Sequence, residues 1–184
     1  MMPKEDPPEK PILITPRAGK RGMTDLHYAA YCNDPTAVEA HLRRGLSVHA
    51  GDDAGWTPLH WSIDMAQAWG EPEKVVSLLL AAGASVNALD NYGYSVLMMA
   101  CARNNENILE QLIGAGADVH ARNADTTPLH EAAGCNFSEA IRRLLSLGCD
   151  PCQTNVGNKL PEQVARKHGF RESVAVFRAA RSAK

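Results

Sequence analysis

A nine-residue pattern recurs four times along the chain, and this internal repetition constrains the fold more than any other feature. The copies read GMTDLHYAA from Gly22, GWTPLHWSI from Gly55, GYSVLMMAC from Gly93 and DTTPLHEAA from Asp125. Their central leucines are separated by 33, 38 and 32 residues. Such a period is typical of stacked supersecondary units, because one unit alone cannot bury its apolar face.

A second, leucine-rich element follows each copy of the pattern. Two of its copies read LLLAAGASVNA from Leu78 and QLIGAGADVHA from Gln111. Together the two elements resemble the ankyrin repeat, which has a period of about 33 residues and the core pattern TPLHxA. The resemblance covers about residues 22–180, with two full TPLH matches, at Thr57 and Thr127, and two degenerate ones.

The resemblance implies an all-α solenoid with short β-hairpin fingers between its repeats. We expect four repeats, at about residues 22–54, 55–92, 93–124 and 125–156, and a degenerate C-terminal cap repeat at 157–184. End repeats of such arrays need a polar outer face, and Glu162 replaces the core leucine in the cap. The proline and charge content of residues 1–21 predicts a flexible N-terminal tail.

Residues at the expected helix ends agree with this arrangement. Thr57 and Thr127 are suited to cap a helix N-terminus, and the prolines that follow them fit the first helical turn. Asn33, Asn104 and Asn136 stand where the family has glycine after the first helix. Asparagine is the other residue that tolerates the left-handed conformation at a helix C-terminus.

Charge is distributed unevenly along the chain. The net charge is +2 for residues 1–21, −9 for 22–158 and +5 for 159–184. An acidic centre repels phosphate backbones, which argues against nucleic-acid binding there and favours a basic partner. We expect no membrane span, because the longest apolar run is far shorter than about 20 residues, and no secretion signal. Five irregularly spaced cysteines predict reduced thiols and a cytoplasmic location.

The second repeat departs most from the period. Nine residues, 64–72, stand where the family has about four. Because residues 65–69 are good helix formers, we expect the first helix of this repeat to gain a turn before Gly70 and Pro72 end it. This extension would place Trp69 near the mouth of the groove as a binding anchor. The alternative is that Trp69 folds back onto a neighbouring helix.

Partners of ankyrin repeats usually lie along the concave face, which is made by the finger tips and the exposed side of each first helix. Carried over by position, the resemblance puts Trp56, Tyr92 and Tyr94 on this face among acids, and such rings dominate interface energies. The alternative is that one or two of these rings only seal a finger against the next repeat. The expected contact residues are Tyr31, Asp52, Asp53, Trp56, Asp64, Met65, Trp69, Asn91, Tyr92, Tyr94, Arg103, Asn123, Thr126 and Glu131, with Ala102 and Cys135 beside them.

His27, His60 and His130 raise the question of a metal or catalytic site, but each is the motif histidine and resembles the family's structural one. Successive copies lie on the order of 10 Å apart, too far to share a zinc ion whose bonds are about 2 Å. Cys149 and Cys152 form a CxxC without a second pair, which we interpret as coincidence. The sequence also contains no phosphate loop and no nucleophile elbow. We therefore expect no catalytic residue, no metal and no cofactor.

The sequence thus predicts a non-catalytic, monomeric protein-binding module, an adaptor that holds a basic protein in an acidic, aromatic concave groove. The alternative is an immunity-type inhibitor that neutralises a basic toxin enzyme, because small ankyrin proteins are similar to some bacterial immunity proteins. An enzyme is the third class considered, and activity in the purified chain would support it.

Overall fold

The computed structural model describes residues 22–65 and 70–182, and these form ten α-helices. The predicted N-terminal tail and Trp69 lie outside the described residues. The helices are α1 Asp25–Tyr31, α2 Pro35–Arg43, α3 Pro58–Asp64, α4 Pro72–Ala81, α5 Val96–Arg103, α6 Glu106–Gly114, α7 Pro128–Gly134, α8 Ser138–Ser146, α9 Pro161–Lys167 and α10 Arg171–Ser182.

The helices pack as two parallel rows. Odd-numbered helices contact one another in chain order from α1 to α9, and we call them the first-helix row. Even-numbered helices from α2 to α10 form the second-helix row in the same way. Each helix also packs on its partner in the same repeat. This arrangement confirms the predicted all-α solenoid, in which each repeat contacts only its neighbours.

The first-row helices begin as the repeated motif predicts. Thr24, Thr57 and Thr127 are the N-cap residues of α1, α3 and α7. Pro58 and Pro128 occupy the first turns of the latter two helices, where proline loses no hydrogen bond because the amide there has no helical partner.

Asparagine follows α1, α5 and α7 as predicted. Asn33, Asn104 and Asn136 adopt positive φ values of 48°, 56° and 57°. Most residues with a Cβ avoid this left-handed conformation, which asparagine tolerates. The chain can therefore reverse between the two helices of a repeat without a glycine.

The core lies between the two rows. Leu26, Leu59, Leu97 and Leu129, the central leucines of the motif copies, are at most 2% exposed. Small alanine pairs in α1 and α7 are buried as well, which permits close approach of the helices. The apolar residues of the second-helix row complete this core.

The insertion in the second repeat corrects one prediction. Helix α3 ends at Asp64 and does not gain a turn, because Met65 is already its C-cap. The chain returns at Gly70, with φ at 83°, and the Glu71 amide donates to the Asn33 carbonyl at 2.9 Å. Pro72 disfavours a helical conformation at Glu71. Glu71 thus contacts the first repeat before α4 begins.

Candidate functional site

Four fingers, which we define as residues 49–56, 87–94, 120–126 and 153–159, project between successive repeats. Each is a tight turn, and the described residues show one isolated bridge here, between Leu89 and Ser95, without regular strands. We use the term candidate face for the fingers together with the exposed side of the first-helix row.

An acid or amide side chain organises each finger turn. Asp90 Oδ1 accepts hydrogen bonds from the amides of Tyr92 and Tyr94, both at 2.8 Å. Asp52 Oδ1 does the same for residues 54 and 56, and Asn123 Oδ1 for residues 125 and 126. These side chains satisfy amides that the turn would otherwise leave unpaired. Asp52 and Asn123, predicted as contact residues, therefore shape the fingers.

Neighbouring fingers are tied tip to tip. The Asn91 amide donates to the Ala54 carbonyl at 2.9 Å, and Asn91 Nδ2 donates to the Asp53 carbonyl at 3.0 Å. Asn123 Nδ2 reaches the Tyr92 carbonyl at 3.4 Å in the next step along the stack. The fingers consequently form a continuous, hydrogen-bonded ledge.

A chain of four aromatic rings runs across the first two repeats. Tyr28 stacks on Tyr31 with ring centroids 6.0 Å apart, and Tyr31 meets the edge of Trp61 at 5.6 Å. Trp61 in turn meets Trp56 edge to face at 5.0 Å. We call these four residues the aromatic ladder. Tyr28, Tyr31 and Trp56 are partly exposed, whereas Trp61 is buried beneath them.

Carboxylates of two fingers hold the tryptophans of the ladder. Trp61 Nε1 donates to Asp52 Oδ2 at 3.1 Å, and Trp56 Nε1 donates to Asp90 Oδ2 at 3.2 Å. Asp52 is only 8% exposed, so these donors replace much of its hydration. The orientation of both indole rings is therefore set by the finger turns.

The large apolar side chains that are exposed in the described residues all lie on fingers. Tyr92 is 79% exposed, Val156 is 74% exposed and Leu89 is 55% exposed. Leu89 and Tyr92 share the second finger, whereas Val156 lies on the fourth. These side chains are the exposed apolar groups of the candidate face that a partner could cover.

Tyr94 seals its finger against the next repeats. Its ring is partly buried, and its hydroxyl lies 3.5 Å from the Met98 carbonyl. Burial raises the pKa of this hydroxyl, and the nearby Glu131 carboxylate raises it further. Tyr94 therefore lies close to Glu131 of the next repeat, and its role in binding stays a prediction.

An ion pair also links two neighbouring helices of the first-helix row. Arg103 on α5 forms an ion pair with Asp64 on α3, so two predicted contact residues bind each other.

The predicted contact residues divide by exposure, and their role in binding stays a prediction. The aromatic ladder also includes Tyr28 and Trp61, which sequence reasoning missed although each follows the motif histidine. Sequence reasoning also missed Leu89 and Val156. An apolar residue within an otherwise polar finger was the signal that could have identified them. The exposed predicted residues are Asp53, Asn91, Tyr92, Arg103 and Cys135; the partly buried ones are Tyr31, Trp56, Asp64, Met65, Tyr94, Ala102, Asn123, Thr126 and Glu131; Asp52 is buried.

The motif histidines join repeats. His27 Nδ1 accepts from the Thr24 amide at 3.0 Å, which leaves the proton on Nε2 to donate to the Trp56 carbonyl at 3.0 Å. His130 contacts the Lys159 carbonyl in the same way at 2.9 Å. Burial lowers the pKa of both histidines and of His60. His27 and His130 are thus neutral links between repeats.

The CxxC pair is split between core and surface. Cys149 is buried and its thiol donates to the Val119 carbonyl at 3.2 Å, while Cys152 is exposed. Burial raises the pKa of Cys149 to about 11, which keeps it a thiol. In residues 22–65 and 70–182, no cluster of three or more His, Cys, Asp or Glu side chains has the geometry to hold a metal ion. None of the described helices is long and apolar enough to cross a bilayer.

Comparison with known proteins agrees with this geometry. A family model of ankyrin repeats in three copies matches residues 63–155. The chain is 31% identical to human B-cell lymphoma 3 protein over 82% of its own length and 34% of the relative. It is 35% identical to human SH3 and multiple ankyrin repeat domains protein 2, over 79% of this chain and 8% of that protein. It is 32% identical to the chicken nuclear factor NF-kappa-B p105 subunit, over 86% of this chain and 16% of that protein. The chain thus spans about a third or less of these relatives.

Proposed function

From the premise that this chain belongs to the ankyrin-repeat family, we propose that it is a non-catalytic adaptor that binds a basic protein on the candidate face. Ankyrin repeats generally mediate protein–protein interaction. The chemistry of the described side chains supports binding rather than catalysis, because the histidines and the buried cysteine of the CxxC pair serve as packing and linking groups.

One observation carries the choice of face. Leu89, Tyr92 and Val156 place apolar surface on the fingers, where water would be released on binding. On the second-helix row, ion pairs such as Arg143–Glu110 and Arg142–Glu172 bridge neighbouring helices, and a shallow apolar groove lies between α8 and α10. The large apolar side chains that are exposed in the described residues lie on the fingers, which favours the fingers as the docking surface.

Charge supports a basic partner. Residues 22–158 carry seven basic and sixteen acidic side chains, and Asp53 and Asp125 are exposed on finger tips. Opposite charge on the partner speeds encounter and fixes orientation, and it disfavours acidic competitors.

Preorganisation supports tight binding. The fingers are held by their own turn bonds and by tip-to-tip bonds such as Asn91 to Ala54. A surface that is already ordered loses little conformational entropy when a partner docks. Affinity is then set by contacts rather than by the cost of folding the fingers.

The test begins with a partner captured from the source cells by the native chain and identified by mass spectrometry. Its Kd is then measured against a finger variant that combines Leu89→Ala, Tyr92→Ala and Val156→Ala. These side chains are exposed, so their removal should leave the fold intact while each buried contact costs about tenfold in affinity. We expect the finger variant to bind the partner at least about tenfold more weakly.

A matched control removes apolar side chains from the other face. Leu145→Ala with Val176→Ala alters a shallow groove between α8 and α10 on the second-helix row. This control should keep the native Kd. The reverse outcome, with the control weakened and the finger variant unchanged, would move the binding face to the second-helix row and overturn the proposal. If the captured protein is a basic toxin enzyme that the chain inhibits, the chain is an inhibitor rather than an adaptor.

A further inference from the structure

We propose that the aromatic ladder receives an arginine side chain of the basic partner. This inference rests on the proposed function, which it deepens by naming the chemistry recognised at one point of the candidate face. The ladder is suited to a flat cation because Tyr28, Tyr31 and Trp56 are partly exposed and belong to one continuous chain of rings. The buried Trp61 joins Tyr31 to Trp56, and Trp56 also stacks on His60.

The carboxylates behind the rings favour a cation over a neutral group. Asp52 and Asp90 each accept an indole N–H, from Trp61 and Trp56 respectively. A donor bond to an anion pushes electron density into the indole ring, and a cation over an aromatic face is attracted by that density. The two carboxylates also place negative charge beside the ladder, whose aromatic rings carry no net charge themselves.

Hydrogen bonds already occupy both oxygens of each of these two carboxylates. Asp52 Oδ1 and Asp90 Oδ1 each bind two finger amides, and their second oxygens bind the indoles. These carboxylates are thus kept in place by the finger turns and act on a ligand through the rings. The exposed Asp53 on the neighbouring tip adds a charge that a partner can reach directly.

Arginine fits this surface better than lysine. Its guanidinium is planar, stacks on aromatic faces and is less strongly hydrated than an ammonium group. Lysine carries the same charge but loses more hydration when it contacts a ring. A site governed by net charge alone would bind arginine and lysine with equal affinity. A difference between the two affinities therefore measures the contribution of the aromatic ladder.

The experiment uses three labelled hexapeptides, of arginine, of lysine and of citrulline, a neutral isostere of arginine, with the full chain at 150 mM salt. Fluorescence anisotropy gives Kd for each peptide. We expect hexaarginine to bind about tenfold more tightly than hexalysine, a ratio within the range of ring–cation contacts, and hexacitrulline not to bind. Equal binding of hexaarginine and hexalysine overturns the inference, as does failure of all three peptides to bind.

Variants locate the preference. Trp56→Leu and Tyr31→Leu remove rings of the ladder and should abolish the arginine preference, with folding verified by circular dichroism and thermal melting. Trp56→Phe keeps a ring but loses the indole N–H that binds Asp90, so it should retain part of the preference. A complete loss in this variant would point to misfolding. Tyr92→Leu removes an exposed ring outside the ladder and should leave the ratio unchanged. A preference that survives both leucine variants of the ladder overturns the inference.

The two proposals fail in different ways. If the finger variant loses the captured partner while hexaarginine and hexalysine bind equally, the binding face stands and only the arginine site is wrong. If the finger variant keeps the partner at native affinity, the proposed face is wrong whatever the peptides show.

Discussion

At the scale of single residues, the motif histidines show how one side chain can serve as both a cap and a link. The Thr24 amide donates to Nδ1 of His27, and Nε2 donates to a carbonyl of the next repeat. Only the neutral ring with its proton on Nε2 can make both bonds. Protonation of Nδ1 would turn an acceptor into a donor that faces another donor.

Stability should therefore decrease on mild acidification. Burial lowers the pKa of His27, His60 and His130 in the folded chain below the ordinary value of about 6.5. The unfolded chain then binds protons more readily, so the free energy of unfolding falls as the pH decreases from about 6.5 through the folded pKa values. One proton taken up on unfolding changes this free energy by up to about 1.4 kcal/mol per pH unit.

Urea unfolding at pH 7.5, 6.5 and 5.5 measures this slope. His130→Gln removes one of the three groups and should reduce the slope between pH 6.5 and 5.5, even though the variant is less stable overall. Identical slopes for the native chain and the variant would show that His130 does not titrate differently in the two states.

At the scale of elements, the C-terminal pair of helices is joined by a buried carboxylate. The Glu162 side chain on α9 is 9% exposed and lies 2.6 Å from Arg166 and 2.7 Å from Arg181 on α10. It occupies the position of the core leucine in the other repeats. The polar substitution predicted for a cap is thus compensated by two guanidinium groups rather than by solvent.

Glu162→Gln should loosen this cap. The neutral amide leaves the two arginines without their shared anion, and breaking a buried pair costs about 3–5 kcal/mol. Both guanidinium groups are 59% exposed, so solvent screening should reduce the loss to about 1–2 kcal/mol. Urea unfolding gives the total, and hydrogen exchange of the α10 amides should show faster exchange there than in α3.

Glu172→Gln provides the comparison for this variant. Its carboxylate is 60% exposed and lies 3.5 Å from Arg142, so its loss should cost less than about 0.5 kcal/mol. If both glutamine variants are equally stable, the Glu162 pairs do not hold the cap.

At the scale of the whole molecule, acidic and basic side chains are separated along the stack, although the net charge of the chain is small. The described repeats are dominated by acids, and the bases concentrate in the last repeat. Since fingers of successive repeats are bonded tip to tip, the exposed acids are held along one ledge. A long-range field of one sign steers an oppositely charged ligand toward this face.

Association should accordingly slow with salt. Stopped-flow binding of labelled hexaarginine at 50 and 500 mM salt should show a steep fall in the association rate and a smaller change in the dissociation rate. A variant with Asp53→Asn and Asp125→Asn, which neutralises two exposed finger carboxylates, should show a weaker salt dependence. An association rate that is insensitive to salt would contradict electrostatic steering by the fingers.

The sequence by itself determined the helical stack, because its information is local and periodic. Threonine and proline at the helix starts, asparagine after the first helices and leucines at a regular spacing each act within one repeat, and all were confirmed. Exposure was decided only by the tertiary structure. Asp52, Trp56 and Tyr94 look like surface residues in the chain, yet each contacts another helix or a neighbouring finger, whereas Tyr92 stays exposed. The reason is physical: whether a finger side chain meets water or protein depends on the repeat stacked beside it, which no single repeat encodes.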